Sequence, residues 1–138
     1  MTESKNLIEV KDMKIHFQQK GGKVVKAVDG ITFSIRKGET FGIVGESGCG
    51  KSTLGRGILR LIEPTEGKVF YNGRDMSTMS DKEMKELRQK IQIIFQDPSA
   101  CLNPRRTMKQ ILMEPFRVHG IKDKEFVENR IQELVELV

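Results

Sequence analysis

The sequence predicts an α/β fold, and three observations carry that expectation. Gly45-Glu46-Ser47-Gly48-Cys49-Gly50-Lys51-Ser52 fits the phosphate-binding pattern G-x-x-x-x-G-K-[ST] at every fixed position, between a strand-like and a helix-like run. Ahead of it, two loosely alternating runs rich in Val, Ile, Thr and Phe flank Gly21-Gly22, the pattern of an antiparallel pair. Behind it, apolar residues recur at helical spacing. The expected organisation is an antiparallel β part over 1–39, a phosphate-loop core over 40–97 and the beginning of a helical part over 98–138, together making an incomplete domain.

Taken in order, residues 7 to 19 and 23 to 36 are the expected hairpin strands. Lys37-Gly38-Glu39 turns the chain into an apolar, partly β-branched strand over Thr40-Phe41-Gly42-Ile43-Val44. Leu54, Ile58, Leu61 and Ile62 then mark a helix from about 51 to 62. Pro64-Thr65-Glu66-Gly67 is a turn, and Lys68-Val69-Phe70-Tyr71 a short strand closed by Asn72-Gly73. Ser80 and Glu83 form a capping box that opens a helix through about Lys90. Ile91-Gln92-Ile93-Ile94-Phe95 reads as a strand of a sheet covered on both faces.

From Thr107 the pattern is helical, with Met108, Ile111 and Leu112 on one face and a break or kink expected near Pro115. Asp123 is the expected cap of the last helix, where Val127, Ile131, Leu134, Val135 and Val138 form an apolar stripe at spacings of 4, 3, 1 and 3. Burying such side chains is worth about 1.5 to 3 kcal/mol each as an upper estimate. No helix stop follows Val138, so the expectation is that the chain is cut short and that further residues cover the stripe.

Composition narrows the function. With 138 residues, 37% of them hydrophobic, the chain is one domain or a piece of one. Neither a secretory leader nor an apolar run of the roughly 20 residues that would span a bilayer is visible, so a soluble, cytosol-facing chain is expected. Two cysteines and two histidines, widely separated, make neither a zinc site nor a disulfide framework. The net charge of +5 is diffuse: residues 1 to 60 hold 11 Lys/Arg against 6 Asp/Glu, and 61 to 138 hold 13 against 13. Without a basic run interleaved with aromatics, a solvated surface is the better reading and no direct nucleic-acid partner is expected.

The chemistry lies in the loop. A triphosphate needs several converging donors, which backbone N–H groups leading into a helix N-terminus supply without crowding. The glycines at 45, 48 and 50 let the main chain approach closely, while Glu46, Ser47 and Cys49 complete the loop. Lys51 adds a mobile positive charge for the outer phosphates. Ser52 offers a hydroxyl to Mg²⁺, a hard cation that prefers oxygen, and Thr53 a further phosphate contact. A nucleoside triphosphate with Mg²⁺ is therefore the expected ligand. A glycine-rich turn that binds nothing is the plain alternative. Cys49 reads as a small loop residue without a catalytic role.

Together with the loop, Ile93-Ile94-Phe95-Gln96-Asp97-Pro98 and Leu102-Asn103-Pro104-Arg105 make the chain resemble the ATP-binding subunits of ABC transporters, in the oligopeptide and dipeptide importer branch. Val25-Lys26-Ala27-Val28-Asp29-Gly30-Ile31 is similar to that branch ahead of the loop. The resemblance implies a P-loop NTPase core of ABC type. It gives Phe17 the role of the aromatic stacked on adenine, for which a core aromatic on a strand is the alternative. It makes Gln96 the catalytic sensor glutamine that reaches Mg²⁺ or the attacking water, against a plain loop glutamine.

Residues Asp97 to Arg106 would face the transmembrane permease subunits, and a second ATP-binding subunit would complete a dimer peripheral to the inner face of the cell membrane, touching it through the partner only. The family's Leu-Ser-Gly-Gly-Gln-like motif, its strand ending in Asp-Glu and its histidine switch do not occur in these 138 residues. The piece is therefore expected to bind ATP weakly and hardly to hydrolyse it. A non-hydrolysing nucleotide-binding regulatory module and a P-loop phosphotransferase are the competing readings.

Overall fold

The structure, a computed structural model, describes residues 6–97 and 101–137. Positions 98 to 100, within the stretch expected to face a membrane partner, and Val138, the last of the apolar stripe, lie outside the described residues. The chain forms two compact units, Met1–Gln92 and Ile93–Val138.

In the first unit β1 (Asn6–Gln18) and β2 (Val24–Arg36) make the expected hairpin around Gly21 and Gly22. On the other side of β1 lies β3 (Glu66–Tyr71), and beside that β4 (Arg74–Asp75), giving an antiparallel sheet in the order β2-β1-β3-β4. Apolar residues of the inner face, among them Val10, Met13, Ile15, Val28 and Val69, are buried with Leu54 of α1 (Lys51–Ile58) and with Met76 and Met84. Helix α1 lies close on the sheet because Gly57 has no side chain: a Cβ there would come within 2.5 Å of Ile15 Cδ1.

Helix α1 stops four residues short of the expected end. The Leu61 and Arg60 N–H groups turn back to the carbonyls of Arg56 and Gly57, at 2.8 and 2.9 Å, with Arg60 in the left-handed region at φ 53°. This is a Schellman ending with an arginine where glycine is usual. The Arg60 guanidinium offsets the strain by donating to the Met76 carbonyl, 2.9 Å, and to Glu63, 2.8 Å. Met76 opens a short 3-10 turn (Met76–Thr78) that leads to α2 (Asp81–Leu87). Its Ser80 and Glu83 form the capping box expected of them.

Two expected strands are not strands. Segment 40–44 and segment 91–95 carry no ladder, and Val44 and Ile94 are 97% and 93% exposed. Their composition suits a strand, but a strand exists only where a neighbour supplies N–H and C=O partners, and none does so among the described residues. Phe41 instead stacks flat on Phe33 of β2, ring centroids 4.9 Å apart.

The second unit contains α3 (Met108–Val118) and α4 (Lys124–Glu136). The break expected at Pro115 falls later: the helix runs through the proline and closes on a Schellman turn with Gly120 at φ 72°. Pro115 sits in the last turn, where a missing N–H removes one bond and leaves the preceding turns intact. Phe116 meets Phe126 edge to face at 6.4 Å, and Val127 and Ile131 are buried, whereas Val135 is half exposed.

Candidate functional site

Gly50, the residue before α1, has φ 98° and ψ 2° and carries no side chain to cap the helix. The first bond of the helical ladder runs from the Leu54 N–H to the Gly50 carbonyl, 2.8 Å. The N–H groups of Lys51, Ser52 and Thr53 precede it and point along the start of the helix, where the macrodipole is positive. No acidic residue occupies that first turn. Gly50 is also held from below: a Cβ would lie 2.1 Å from the Ala27 carbonyl oxygen of β2. The last turn of the loop therefore rests directly on the sheet, an approach open only to glycine.

Lys51 folds back over the loop. Its Nζ donates to the carbonyls of Gly45, 2.7 Å, and Glu46, 2.5 Å, and lies 3.6 Å from Cys49 Sγ. The Cys49 N–H donates to the Glu46 carbonyl at 3.4 Å, and a Cβ at Gly45 would meet Cys49 Sγ at 2.7 Å. Residues 45 to 49 are exposed, Ser52 is exposed, and Lys51 and Thr53 are half-buried. The loop is thus closed on its own ammonium and open outward. Donors, charge and bare backbone coincide as a triphosphate requires, and the Ser52 hydroxyl lies at the helix start where a hard cation shared with phosphate oxygens would sit.

Phe17, near the end of β1, is 41% exposed and pairs across the hairpin with Val25, also 41% exposed. It alternates with Met13 and Ile15, so it occupies the sheet face on which α1 packs. Val25 is two residues from Ala27, whose carbonyl underlies Gly50, so Phe17 stands about 7 Å along the strands from the loop. The sequence reading missed this contact of Ala27 with the loop; the small side chain at 27 was its one trace. On the other face His16 lies 2.9 Å from Asp29, and that bond, with Lys26 second, holds the Asp29 carboxyl below its usual range.

Gln96 is exposed, in an irregular stretch of the second unit, outside any ladder. The structure thus assembles Phe17 and the loop residues 45 to 53 within one unit and assigns Gln96 to the other. In the stretch after it, Asn103 accepts from the Arg105 N–H at 3.0 Å, and Arg106 pairs with Glu114. No cluster of His, Cys, Asp or Glu able to hold a metal by itself occurs among the described residues. No described helix is long and apolar enough to cross a membrane.

Comparison with known proteins bears on this geometry. Residues 28–137 match the family model described as ABC transporter. A putative oligopeptide transport ATP-binding protein of Bacillus subtilis, YkfD, is 55% identical over 83% of this chain and 35% of its own length. AppF, an oligopeptide transport ATP-binding protein of the same organism, is 47% identical over 94% of this chain and 41% of its own. The chain spans less than half the length of these curated relatives. Among solved structures, the ATP-binding cassette MJ0796, a dimer in a post-hydrolysis state bound to ADP and Pi, superposes with a TM-score of 0.77 at 28% identity, over 94% of this chain and 56% of its own.

Proposed function

This chain belongs to the ABC transporter family, and from that premise we propose that it is the phosphate-gripping part of the ATP-binding subunit of a peptide importer. One observation carries the reading: at the start of α1, three orphan N–H groups and one ammonium converge on a loop whose helix has no capping side chain. The names of the relatives, oligopeptide transport ATP-binding proteins, support a peptide as the solute.

In this reading the main-chain N–H groups of Gly45 to Thr53 bind phosphate oxygens, with Glu46, Ser47 and Cys49 contributing backbone alone. Lys51 exchanges the carbonyls of Gly45 and Glu46 for the outer phosphates, one set of acceptors for a more negative one. Phe17 stacks on the adenine. Mg²⁺, when bound, supplies charge neutralisation between the phosphates, and Ser52 and Gln96 are the residues that would hold it. Gln96 would also orient the attacking water in a complete subunit.

These 138 residues carry neither the Asp-Glu strand nor the Leu-Ser-Gly-Gly-Gln-type motif. We therefore assign binding to this piece and hydrolysis to a chain of its relatives' length. There it would pair with a second ATP-binding subunit, an arrangement supported by the dimeric cassette, and with transmembrane permease subunits at the inner face of the membrane. The parts 1–39, 40–97 and 98–138 would serve the base, the phosphates and the membrane partner in turn.

Calorimetry with MgATP tests the proposal. Saturable binding is expected, together with a rise in melting temperature that grows with ligand concentration. A demonstrably folded sample that shows neither heat nor saturation at millimolar MgATP overturns it.

A further inference from the structure

The apolar residues of β1 change parity halfway along the strand. Ile8 and Val10 are buried before Lys11-Asp12, and Met13 and Ile15 after it. Strict alternation would have placed 12, 14 and 16 on the inner face. The shift is a bulge: against β2, three steps of β1 from Val10 to Met13 oppose two from Phe33 to Ile31, and against β3, three steps from Lys11 to Lys14 oppose two from Lys68 to Glu66. The extra residue is therefore counted against both neighbouring strands at the same level.

Asp12 is the pivot. It takes φ 46°, its N–H leaves the ladder for the Thr32 hydroxyl at 2.9 Å, and both flanking strands bring a glycine with positive φ to it. A Cβ on Gly67 would lie 2.2 Å from the Asp12 carbonyl oxygen, and one on Gly30 would lie 3.2 Å from Asp12 Oδ1. Lys11, its neighbour, rests its ammonium over the Phe70 ring at 4.7 Å. A left-handed aspartate between two left-handed glycines is a tightly specified arrangement, since each added methyl would collide with main chain or strain a φ that L residues avoid.

We infer that Asp12, clamped by Gly67 and Gly30, is a positioning residue that sets the phase of the second half of β1 and so brings Phe17 onto the sheet face that carries the phosphate loop. Beyond Met13 the register shifts twice more, but each time the extra residue lies in β2, so β1 itself keeps its alternation and Phe17 follows Ile15, which touches α1 at the level of Gly57. Without the extra residue Phe17 would face the side occupied by His16 and Asp29. The inference rests on the base-stacking reading of Phe17 and adds to it a device remote in sequence from the loop.

The sequence contains no tryptophan, so Phe17→Trp makes a single fluorescent reporter. In that background MgATP should change the emission and inorganic tripolyphosphate should not. Gly67→Ala and Asp12→Val should abolish the adenine-specific change and lower the ratio of ATP to tripolyphosphate affinity roughly fivefold or more, the scale of one lost base stack. Asp12→Asn, which tolerates the left-handed region, should keep both as in the parent. Where circular dichroism shows that Gly67→Ala or Asp12→Val does not fold, Asp12→Ala takes their place in the test, with an intermediate loss expected.

A folded bulge variant with the parent's emission change and affinity ratio overturns the positioning role while leaving the stack standing. Phe17→Ala with an unaltered ratio overturns the stack itself and the inference with it.

Discussion

Among the described residues, the starts of α1, α2, α3 and α4 solve one problem in two ways. At α2, α3 and α4 the residues Ser80, Thr107 and Asp123 accept from the N–H three positions on, at 3.4, 3.3 and 3.1 Å, and Glu83 and Gln110 answer back in the first two. At α1 the same position is Gly50, which has nothing to offer. At a capped start the chain's own side chains take up one or two of the orphan donors. The open start has no such partner of its own, and in the proposed function the Lys51 ammonium beside it favours an anion. The difference separates helices whose starts are closed by their own side chains from the one whose start we propose to be closed by a ligand.

The comparison breaks most visibly at Lys51. Lys51→Ala removes the ammonium but leaves the open helix start, and it should lower ATP affinity by about a hundredfold or more while circular dichroism stays unchanged. Calorimetry reads the loss, and retained affinity would mean that the backbone alone holds the phosphates. Gly50→Ala attacks the open start itself. A methyl there meets the Ala27 carbonyl at 2.1 Å and strains φ 98°, so about 1 to 3 kcal/mol of stability should go together with nucleotide binding. A variant that melts like the parent and binds ATP would show that the loop does not need this contact with β2.

A smaller effect sharpens the other side of the comparison. Thr107→Ala and Asp123→Ala each remove a side-chain cap and should cost about 1 kcal/mol in chemical denaturation. Neither should alter ATP affinity, since neither residue is among those assigned to the nucleotide or to Mg²⁺. Weaker ATP binding in either variant would tie the capped starts to the ligand and blur the distinction.

How much of this is legible in the sequence follows from how local each feature is. Caps, the hairpin and the phosphate loop are set by residues within a few positions of one another, and each appears where the sequence puts it. Segment 40–44 misleads because its composition speaks only for a β conformation, whereas a ladder depends on partners distant in the chain; the same holds for 91–95. The contact of Ala27 with Gly50 joins residues 23 positions apart and leaves almost no sequence trace. The bulge does leave one: in Val10-Lys11-Asp12-Met13 two polar residues interrupt the alternation of Ile8, Val10, Met13 and Ile15, which marks an inserted residue more clearly than a loosely alternating strand.

The smallest expected effect concerns acid, and it separates the two kinds of helix start by charge. The Glu83 carboxyl accepts first of all from the Ser80 N–H, then from Arg74 and the Ser80 hydroxyl, and these bonds lower its pKa from 4.5 to about 2. Because the folded value lies below the unfolded one, the stabilisation is fully present above pH 4.5 and is lost as pH falls through the folded value near 2. Nuclear magnetic resonance titration of the Glu83 side-chain carbonyl should find its midpoint near 2, with the start of α2 fraying over the same range. Glu83→Gln keeps an acceptor for the Ser80 N–H without a titrating proton, so its α2 should lose this acid response. A midpoint at the ordinary carboxylate value would mean that the capping box does not hold in solution, and α2 would then begin as open as α1 without any ligand to close it.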